Sequence, residues 1–390
     1  MLPTFQKPNA FYFILLLGPF IKPVLVESYS ILNLFYMAWK LLSLAYLIVV
    51  LLPNYLCFHP KKHLLGIAGL CLFWLIFFIG CVVATADIFN TFIAAISAIL
   101  CFLLISQQAQ MGNGWILLKG LNILFTVLIL IHAATVFLLP VQASTIFFLG
   151  MDNYSAFFIY PMLFVILFYH SLRYGKLRLH SWLMVFLVIF LYIYTSSYTA
   201  AAAGLLFIAL ISIYPHWHKL PKLRGVRWLI LLLILVLFLI VEFEIQNLLA
   251  SLLDSMSKGT TLNSRTIIWD FSLKLIVEKP IFGHGSFTQA QIANYILYGS
   301  NHAHNIILEL LLRTGIVGTI AYLTFLCGFT SAFKKSNSET CHNYILIAGL
   351  LSQLVLSFMD FYPTILVFYI FMAIIYNRYL FSPPPNQIRR

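Results

Sequence analysis

The sequence predicts an all-α polytopic membrane protein with about twelve transmembrane helices and one large, partly helical external loop between spans nine and ten. Of its 390 residues, 62% are hydrophobic and only 9% are charged, and the mean hydropathy is +0.97. Ordinary soluble domains carry about 25% charged residues. Apolar runs recur along the whole chain, each near the length that crosses ~30 Å of hydrocarbon. They are continuous rather than alternating, which argues against a β-barrel.

The apolar runs divide the chain into three parts. Residues 1–249 hold spans one to nine, residues 250–305 form the large loop, and residues 306–390 hold spans ten to twelve and a tail. The other connections are short, as expected between antiparallel neighbours. The predicted spans are 10–26, 32–52, 64–84, 88–106, 116–138, 156–171, 182–198, 199–214, 228–248, 306–330, 342–360 and 362–380.

The net charge of +12 is compatible with a nucleic-acid partner, but the placement of the basic residues points to a membrane. With the N-terminus in the cytoplasm, these residues gather in the loops on the cytoplasmic side, which is the positive-inside pattern. We therefore expect both termini in the cytoplasm, contact with membrane lipids and no nucleic-acid partner. The basic residues on that side are Lys61, Lys62, Arg173, Lys176, Arg178, Lys219, Lys222, Arg224, Arg227, Lys334, Lys335, Arg378, Arg389 and Arg390.

The loop over residues 250–305 falls on the external side and its sequence predicts that it folds. An apolar stripe indicates a helix that Ser264 caps and Pro280 ends. The letters GHGS at residues 283–286 indicate a turn into a second helix, over residues 287–297. A folded loop on a helical bundle suits a membrane-facing active site, and an ordered structural cap is the alternative. The stripe consists of Ile267, Ile268, Phe271, Leu275 and Ile276.

Five polar residues crowd the boundary between this loop and span ten: His302, His304, Asn305, Glu309 and Arg313. Histidine can take a proton from an attacking hydroxyl near neutral pH, so the pair favours catalysis. Capping or packing, a proton relay and metal binding are alternatives, and a metal would need further ligands that the local sequence does not provide. Glu309 and Arg313 are spaced i, i+4 and can pair, either to line a cavity or only to fix helix packing.

Two further basic residues are candidates for binding an anionic group. Arg265 in the loop is a permanently charged, forked donor suited to phosphate oxygens, unless it pairs with Asp254 or Asp270. Lys22, near the external end of the first span, can reach an anionic head group, or simply snorkel to the interface. A histidine base beside a phosphate-binding arginine suits a reaction in which a diphosphate leaves.

Two stretches of the sequence resemble the signatures of the bacterial O-antigen ligase and polymerase superfamily. In NHAHNIILELLLRTGIVGT, His304 and Asn305 are followed by nine residues and then by a Gly-x-x-Gly pattern at Gly315 and Gly318. The layout of twelve spans with one large loop between spans nine and ten is also similar to this family.

The second stretch, NSRTIIWDFSLKLIVEKPIFGHG, lies upstream of the first. It resembles the same family's pattern of an arginine, a nearby tryptophan and then Pro-x-x-Gly-x-Gly. Here the matching residues are Arg265, Trp269, Pro280, Gly283 and Gly285.

The resemblance implies a glycosyltransferase of the GT-C kind in the bacterial inner membrane, with a periplasmic active site and no metal or other cofactor. The donor would be an undecaprenyl-diphosphate-linked glycan and the acceptor lipid A–core oligosaccharide, with inversion at the transferred sugar. His304 would be the catalytic base, and Arg265 would hold and stabilise the departing diphosphate. The substrate-binding residues on this basis are His302, Asn305, Trp269, Glu309, Arg313 and Lys22.

Two alternatives to a ligase stay open. A polymerase of the same superfamily would join repeat units on the lipid carrier; the close fit of the histidine motif and the compact length favour the ligase. A transporter would spread polar residues through mid-span and use a pair of broken helices. Many family members also carry an arginine at the outer turn between two short spans, where this chain has residues 196–199 (SSYT). The second diphosphate ligand would then be Lys22 or Arg313, unless the diphosphate is held differently.

Overall fold

The architecture was taken from a computed structural model, which describes residues 8–57, 64–140, 145–213, 230–231, 265–294, 296–330 and 341–384. Within these ranges the chain is helical and has no strand, apart from one isolated bridge between Phe147 and Gly150. The helices are α1 (Ala10–Leu17), α2 (Ser30–Cys57), α3 (Leu64–Ala84), α4 (Ile88–Gln110), α5 (Gly114–Leu138), α6 (Asp152–Tyr174), α7 (Leu179–Tyr194), α8 (Tyr198–Ile213), α9 (Arg265–Glu278), α10 (Gln289–Ala293), α11 (Ile306–Gly328), α12 (Cys341–Met359) and α13 (Leu366–Asn377).

The helices confirm an all-α membrane protein. Six stretches are long and apolar enough to cross a bilayer, within α2, α3, α4, α5, α6 and α11, and five shorter apolar helices match predicted spans one, seven, eight, eleven and twelve. Of predicted span nine (228–248) only residues 230 and 231 are described, and Ser264 and Asp254 lie outside the described residues. The count of twelve spans and the position of the termini therefore stay predictions.

Two predicted elements differ from the structure. The first span was expected over residues 10–26, but α1 ends at Leu17 and short 3₁₀ turns follow at Gly18–Phe20 and Val24–Ser28. Prolines at positions 19 and 23 explain the change, since proline lacks the N–H that continues an α-helix. The second loop helix is also shorter than expected, covering only Gln289–Ala293 after a capping box formed by Thr288 and Gln291.

The bundle has a buried centre and a lipid-facing edge. In α6, 89% of the most apolar stretch is buried, against 17% in α2, so α6 lies at the centre and α2 at the periphery. Helix α3 packs closely on two neighbours, because a Cβ at Gly69 would collide with the Ala321 backbone of α11 and one at Gly66 would collide with Tyr376 of α13. Small residues that let backbones approach are the usual means of joining membrane helices.

Candidate functional site

Three predicted residues, from two parts of the sequence, meet around a fourth at one end of α11. His304 Nδ1 lies 2.9 Å from Asp360 Oδ1, and Arg265 Nη2 lies 3.9 Å from Asp360 Oδ2. His302 Nδ1 is 3.6 Å from Asp360 Oδ1, and the two histidine ring centroids are 3.8 Å apart. The structure thus groups His304, Arg265 and His302 around a carboxylate that the sequence analysis did not select.

The start of α11 fixes the position of His304. Asn305 is the N-cap, and its Oδ1 accepts hydrogen bonds from the N–H groups of Ile307, at 2.9 Å, and Leu308, at 3.2 Å. His304 precedes the cap with a φ of 50°, a left-handed conformation that costs a residue with a Cβ about 1–2 kcal/mol. Residues held in such conformations cluster at active and binding sites. The helix cap therefore holds His304 in an unusual backbone geometry beside Asp360.

Asp360 reaches the site from a distant part of the chain. It directly follows the last residue of α12, Met359, and is buried, with 5% of its surface exposed. No spacing rule links it to His304, because 56 residues separate them. One signal was present: only 11 residues of the chain are acidic, and this one ends a predicted span, where a charged group calls for a partner.

The electrostatics define the protonation state of the group. Burial opposes the charge of Asp360, but the hydrogen bond with His304 and the interactions with His304, His302 and Arg265 outweigh it and lower the pKa of Asp360. Burial, followed by the neighbouring His304, lowers the pKa of His302 to about 4. At neutral pH Asp360 is therefore an anion, His302 is neutral, and Nδ1 of His304 donates to the carboxylate.

Three buried polar atoms around this group have no hydrogen-bond partner within the described residues. They are Trp269 Nε1, His302 Nδ1 and Asn305 Nδ2. Almost all buried polar groups in proteins are satisfied, so these three atoms can bond to polar groups of a substrate. All three belong to residues predicted to bind substrate. Indole and amide N–H groups are donors, which suits the oxygens of a sugar or a phosphate.

An aromatic wall flanks the histidines. The ring of Tyr362 lies 5.0 Å from that of His302, 4.6 Å from Tyr154 and 5.2 Å from Phe157, centroid to centroid. Burial, followed by the negative charge of Asp360 and a hydrogen bond to it, raises the pKa of Tyr362. The Tyr362 hydroxyl therefore stays protonated and contributes a second donor to the carboxylate.

The glycine motifs form one structural unit, which we call the loop clasp: residues 280–285 bound to α11 around Gly315. Helix α11 breaks at Gly315, where φ is 60° and ψ is −166°. The clasp replaces the lost helical hydrogen bonds with backbone bonds at 2.8–3.2 Å. These bonds run from His284 and Gly285 N–H to the carbonyls of Leu312 and Arg313, and from Ile316 and Val317 N–H to those of Pro280 and Ile281.

Glycine is required on both sides of the clasp. Gly283, Gly285 and Gly315 all have positive φ. A Cβ at Gly285 would overlap the backbone of Gly80 in α3, and one at Gly315 would overlap the backbone of Ile281. The Pro-x-x-Gly-x-Gly and Gly-x-x-Gly patterns are therefore the two halves of a single contact between the loop and the helix. This is one broken helix among the described residues, whereas a transporter was expected to have a pair.

Glu309 and Arg313 form the predicted ion pair, with Arg313 Nε 2.9 Å from Glu309 Oε1. Their remaining polar atoms bind the loop backbone: Arg313 donates to the carbonyls of Gly285, at 3.0 Å, and Asn301, and Glu309 Oε2 accepts from Ala303 N–H at 2.7 Å. The guanidinium also lies 4.7 Å from the Phe287 ring centroid. The pair thus fastens the loop to α11, and a role in substrate binding stays a prediction.

Lys22 contacts other residues than Asp360 and the two histidines. Its Nζ is 2.8 Å from Glu27 Oε1 and 3.0 Å from Asn33 Oδ1. The turn at residues 195–197 joins α7 and α8 as two short helices, as predicted, and Ser196 has a φ of 57°. Since Arg313 is engaged by the loop and Lys22 by Glu27, the second diphosphate ligand remains unassigned.

The same group has the composition of a cation site. The ligand atoms of His302, His304 and Asp360 lie within 4.8 Å of one another. The sequence near the two histidines offers no further ligand for a metal, but the fold adds the carboxylate of Asp360. The guanidinium of Arg265, 3.9 Å from the same carboxylate, opposes a second cation there by electrostatic repulsion.

Comparison with known proteins bears on the whole site. No curated protein and no solved structure matches the chain significantly. The family described as O-antigen ligase matches residues 181–323, which include most of α7, all of α8 as described, the loop clasp, both histidines and Arg265. Asp360 lies beyond the matched segment. The match confirms the resemblance seen in the two glycine-containing motifs: residues 181–323 form a segment that matches the O-antigen ligase family.

Proposed function

We propose that this protein is an O-antigen ligase that transfers a glycan from undecaprenyl diphosphate to lipid A–core oligosaccharide at the periplasmic face of the inner membrane. The match of residues 181–323 to the O-antigen ligase family supports a role in glycan transfer related to O-antigen. The observation that carries the chemistry is the His304–Asp360 hydrogen bond at 2.9 Å, with Arg265 beside it.

His304 is the proposed general base. Because Nδ1 donates to the ionised Asp360, Nε2 keeps its lone pair and can accept a proton from an acceptor hydroxyl. The carboxylate fixes the tautomer and stabilises the imidazolium that forms when the proton arrives, as in other carboxylate–histidine pairs. Asp360 acts through His304 and is therefore a positioning residue.

Arg265 is the proposed ligand of the leaving diphosphate. It lies in α9 beside Asp360, which is held as an anion. Its guanidinium can form paired hydrogen bonds with phosphate oxygens. Trp269 Nε1 and Asn305 Nδ2, both without partners in the described part of the chain, are further donors for the substrate.

The reaction is a direct displacement. The acceptor oxygen forms a bond to the anomeric carbon of the donor sugar and loses its proton to His304 Nε2. The bond from that carbon to the diphosphate oxygen breaks, and the electron pair leaves with the diphosphate, whose added charge Arg265 stabilises. Attack opposite to the leaving group inverts the anomeric carbon.

We propose that the reaction needs no metal. Arg265 supplies charge stabilisation that a divalent cation supplies in many phosphate-dependent enzymes. In proteoliposomes containing lipid-linked glycan and lipid A–core, transfer should continue at an unchanged rate in EDTA. Loss of transfer in EDTA, with recovery on adding one divalent metal, would instead assign the His302–His304–Asp360 group to a metal.

The decisive test uses the same proteoliposomes with single variants. His304→Ala should lower the transfer rate by about 10²–10⁴-fold, the usual contribution of a general base. His180→Ala is the matched control, since His180 belongs to α7 and should leave the rate unchanged. A His304→Ala enzyme that keeps more than a tenth of the activity would contradict the proposed base.

The choice between ligase and polymerase depends on the acceptor. In the native host, loss of a ligase removes long chains from lipid A–core while polymerised glycan accumulates on the lipid carrier. Loss of a polymerase leaves single repeats on the core and abolishes the ladder. Gel analysis of lipopolysaccharide from a deletion strain, complemented with the wild-type chain or with His304→Ala, separates the two outcomes.

A further inference from the structure

The segment that links α9 to the loop clasp carries an apolar surface with no role in the site. Val277, Ile281 and Phe282 are 79%, 55% and 62% exposed, although they lie within six consecutive residues. A soluble surface rarely exposes such a cluster without a binding partner. Lys274, at the side of α9, is exposed as well.

The position of this surface along the bundle can be read from backbone contacts. The carbonyl oxygens of Pro280 and Ile281 accept from Ile316 and Val317 of α11. Gly285 meets Gly80 of α3, which lies four residues before the end of that helix, or about 6 Å along its axis. The linking segment therefore lies level with the last turn of a membrane-spanning helix.

The surface continues onto the lipid-facing side of the bundle. Ile316 and Ile320 of α11, next to the clasp, are 52% and 58% exposed. Exposed isoleucines in the middle of an apolar membrane helix face acyl chains. Val277, Ile281 and Phe282 extend this apolar surface beyond the spanning helix.

We propose that Val277, Ile281 and Phe282 form a membrane anchor that inserts into the outer leaflet of the bilayer. Interfacial segments of this kind place apolar side chains roughly 5–10 Å into the boundary between head groups and acyl chains. Lys274 precedes the anchor, and Lys279 lies within it beside Glu278. Lysine stems can run along apolar surface while the ammonium reaches lipid phosphates.

The anchor has a direct link to the chemistry at the other end of the same helix. Helix α9 carries Arg265, 3.9 Å from Asp360, and ends at the anchor. The helix thus connects a cation to a fixed depth in the leaflet. The anchor sets the height of Arg265 relative to phosphate groups that lie at the membrane surface.

The test measures depth and does not require catalytic activity. Phe282→Trp and Val277→Trp are each compared with the parent protein in liposomes whose acyl chains carry bromine, a short-range quencher of tryptophan. Asn294→Trp, at an exposed polar position of the same loop, is the matched control. The seven native tryptophans contribute the same background to all samples.

The emission added at positions 277 and 282 should be blue-shifted and quenched at least twofold more by brominated lipid than that added at position 294. Aqueous iodide should give the opposite order. Equal quenching at all three positions, or stronger iodide quenching at 277 and 282, would overturn the anchor, whether or not the protein transfers glycan. If a second copy of the chain covers the segment instead, brominated lipid should fail to quench positions 277 and 282, which would also overturn the anchor.

Discussion

At the scale of single residues, the proposed chemistry depends on a carboxylate supplied 56 positions after the histidine that it orients. His304 alone could accept a proton on either ring nitrogen. Asp360 removes that ambiguity by occupying Nδ1 and leaving Nε2 for substrate. The neighbouring His302 is neutral at pH 7 and competes for neither proton nor charge.

Asp360→Asn should lower kcat by about 10²-fold, because the amide neither stabilises the imidazolium nor enforces one tautomer. KM for the donor and the thermal midpoint should change little. Asp270→Asn is the control, because Asp270 is an exposed residue of α9, and this variant should behave like the parent. A fall in thermal midpoint that parallels the loss of rate would indicate a purely structural carboxylate.

The lowered pKa of His302 predicts that the folded protein loses stability in acid. Its pKa is about 4 in the folded protein and about 6.5 in an unfolded chain, so the unfolded chain binds the proton first as the pH falls. The free energy of unfolding should therefore decrease from pH 6.5 to pH 4. The groups that face His302 are His304, Glu309, Asp360 and Arg313, and the lowered pKa of Asp360 acts below this window.

The measurement is the thermal midpoint in detergent across pH 4–7 for the parent and for His302→Gln. Glutamine cannot be protonated in this range, so the variant should show a flatter profile. Identical profiles would show that other groups cause the acid sensitivity.

At the scale of elements, the loop clasp explains why two separate glycine patterns occur in one chain. A helix broken inside a membrane leaves carbonyl and N–H groups that water cannot reach, and each one unsatisfied costs several kcal/mol. The backbone of residues 280–285 satisfies four of them. Only glycine lets the loop approach closely enough.

Gly285→Ala should destabilise the protein strongly, because it combines a strained positive φ with a collision against Gly80. We expect about 1–2 kcal/mol from the conformation and about 1–3 kcal/mol from overpacking. Gly112→Ala is a matched control: Gly112 also has a positive φ, but nothing lies within 4 Å of its added Cβ. Thermal midpoints in detergent should fall clearly more for Gly285→Ala, and equal shifts would contradict the clasp.

Glu309 and Arg313 fasten the loop at a second point. Removing one partner of a buried pair leaves an uncompensated charge and typically costs 3–5 kcal/mol. Glu309→Gln and Arg313→Met should each lower the thermal midpoint. The double variant should lower it by less than the sum of the two single effects. Arg313→Lys should not restore stability, because one ammonium cannot reproduce the contacts with Glu309, Gly285 and Asn301. A raised KM for the donor with an unchanged midpoint would favour substrate binding instead.

At the scale of the whole molecule, neighbouring helices alternate in direction. The turns at residues 85–87, 195–197 and 360–365 therefore lie at the same end of the bundle as the two histidines. Reporter fusions test the expected orientation. Alkaline phosphatase, active only outside the cytoplasm, should be active when fused after Gly150 or Ser196 and inactive after Asn113 or Gly175. The reverse pattern would place the site in the cytoplasm and remove access to the periplasmic acceptor.

Most helices could be predicted because crossing a bilayer imposes a length and composition that the sequence displays directly. The pairing of Glu309 with Arg313 was predictable from i, i+4 spacing. Asp360 was not, since its contact with His304 arises from how α11 and α12 pack. The break at Gly315 was also missed, because a glycine inside an apolar run has no signal that separates a close contact from a broken helix.

The loop clasp has a consequence for biogenesis. Residues 280–285 are synthesised before α11, and in the expected orientation they must cross the membrane before they can bind to this helix. Until the two meet, α11 enters the translocon with an open break and with Glu309 and Arg313 unshielded by the loop. In the expected orientation, we therefore expect the stable integration of this helix to depend on translocation of the loop. A chain stalled between these events would offer quality-control proteases a half-inserted segment.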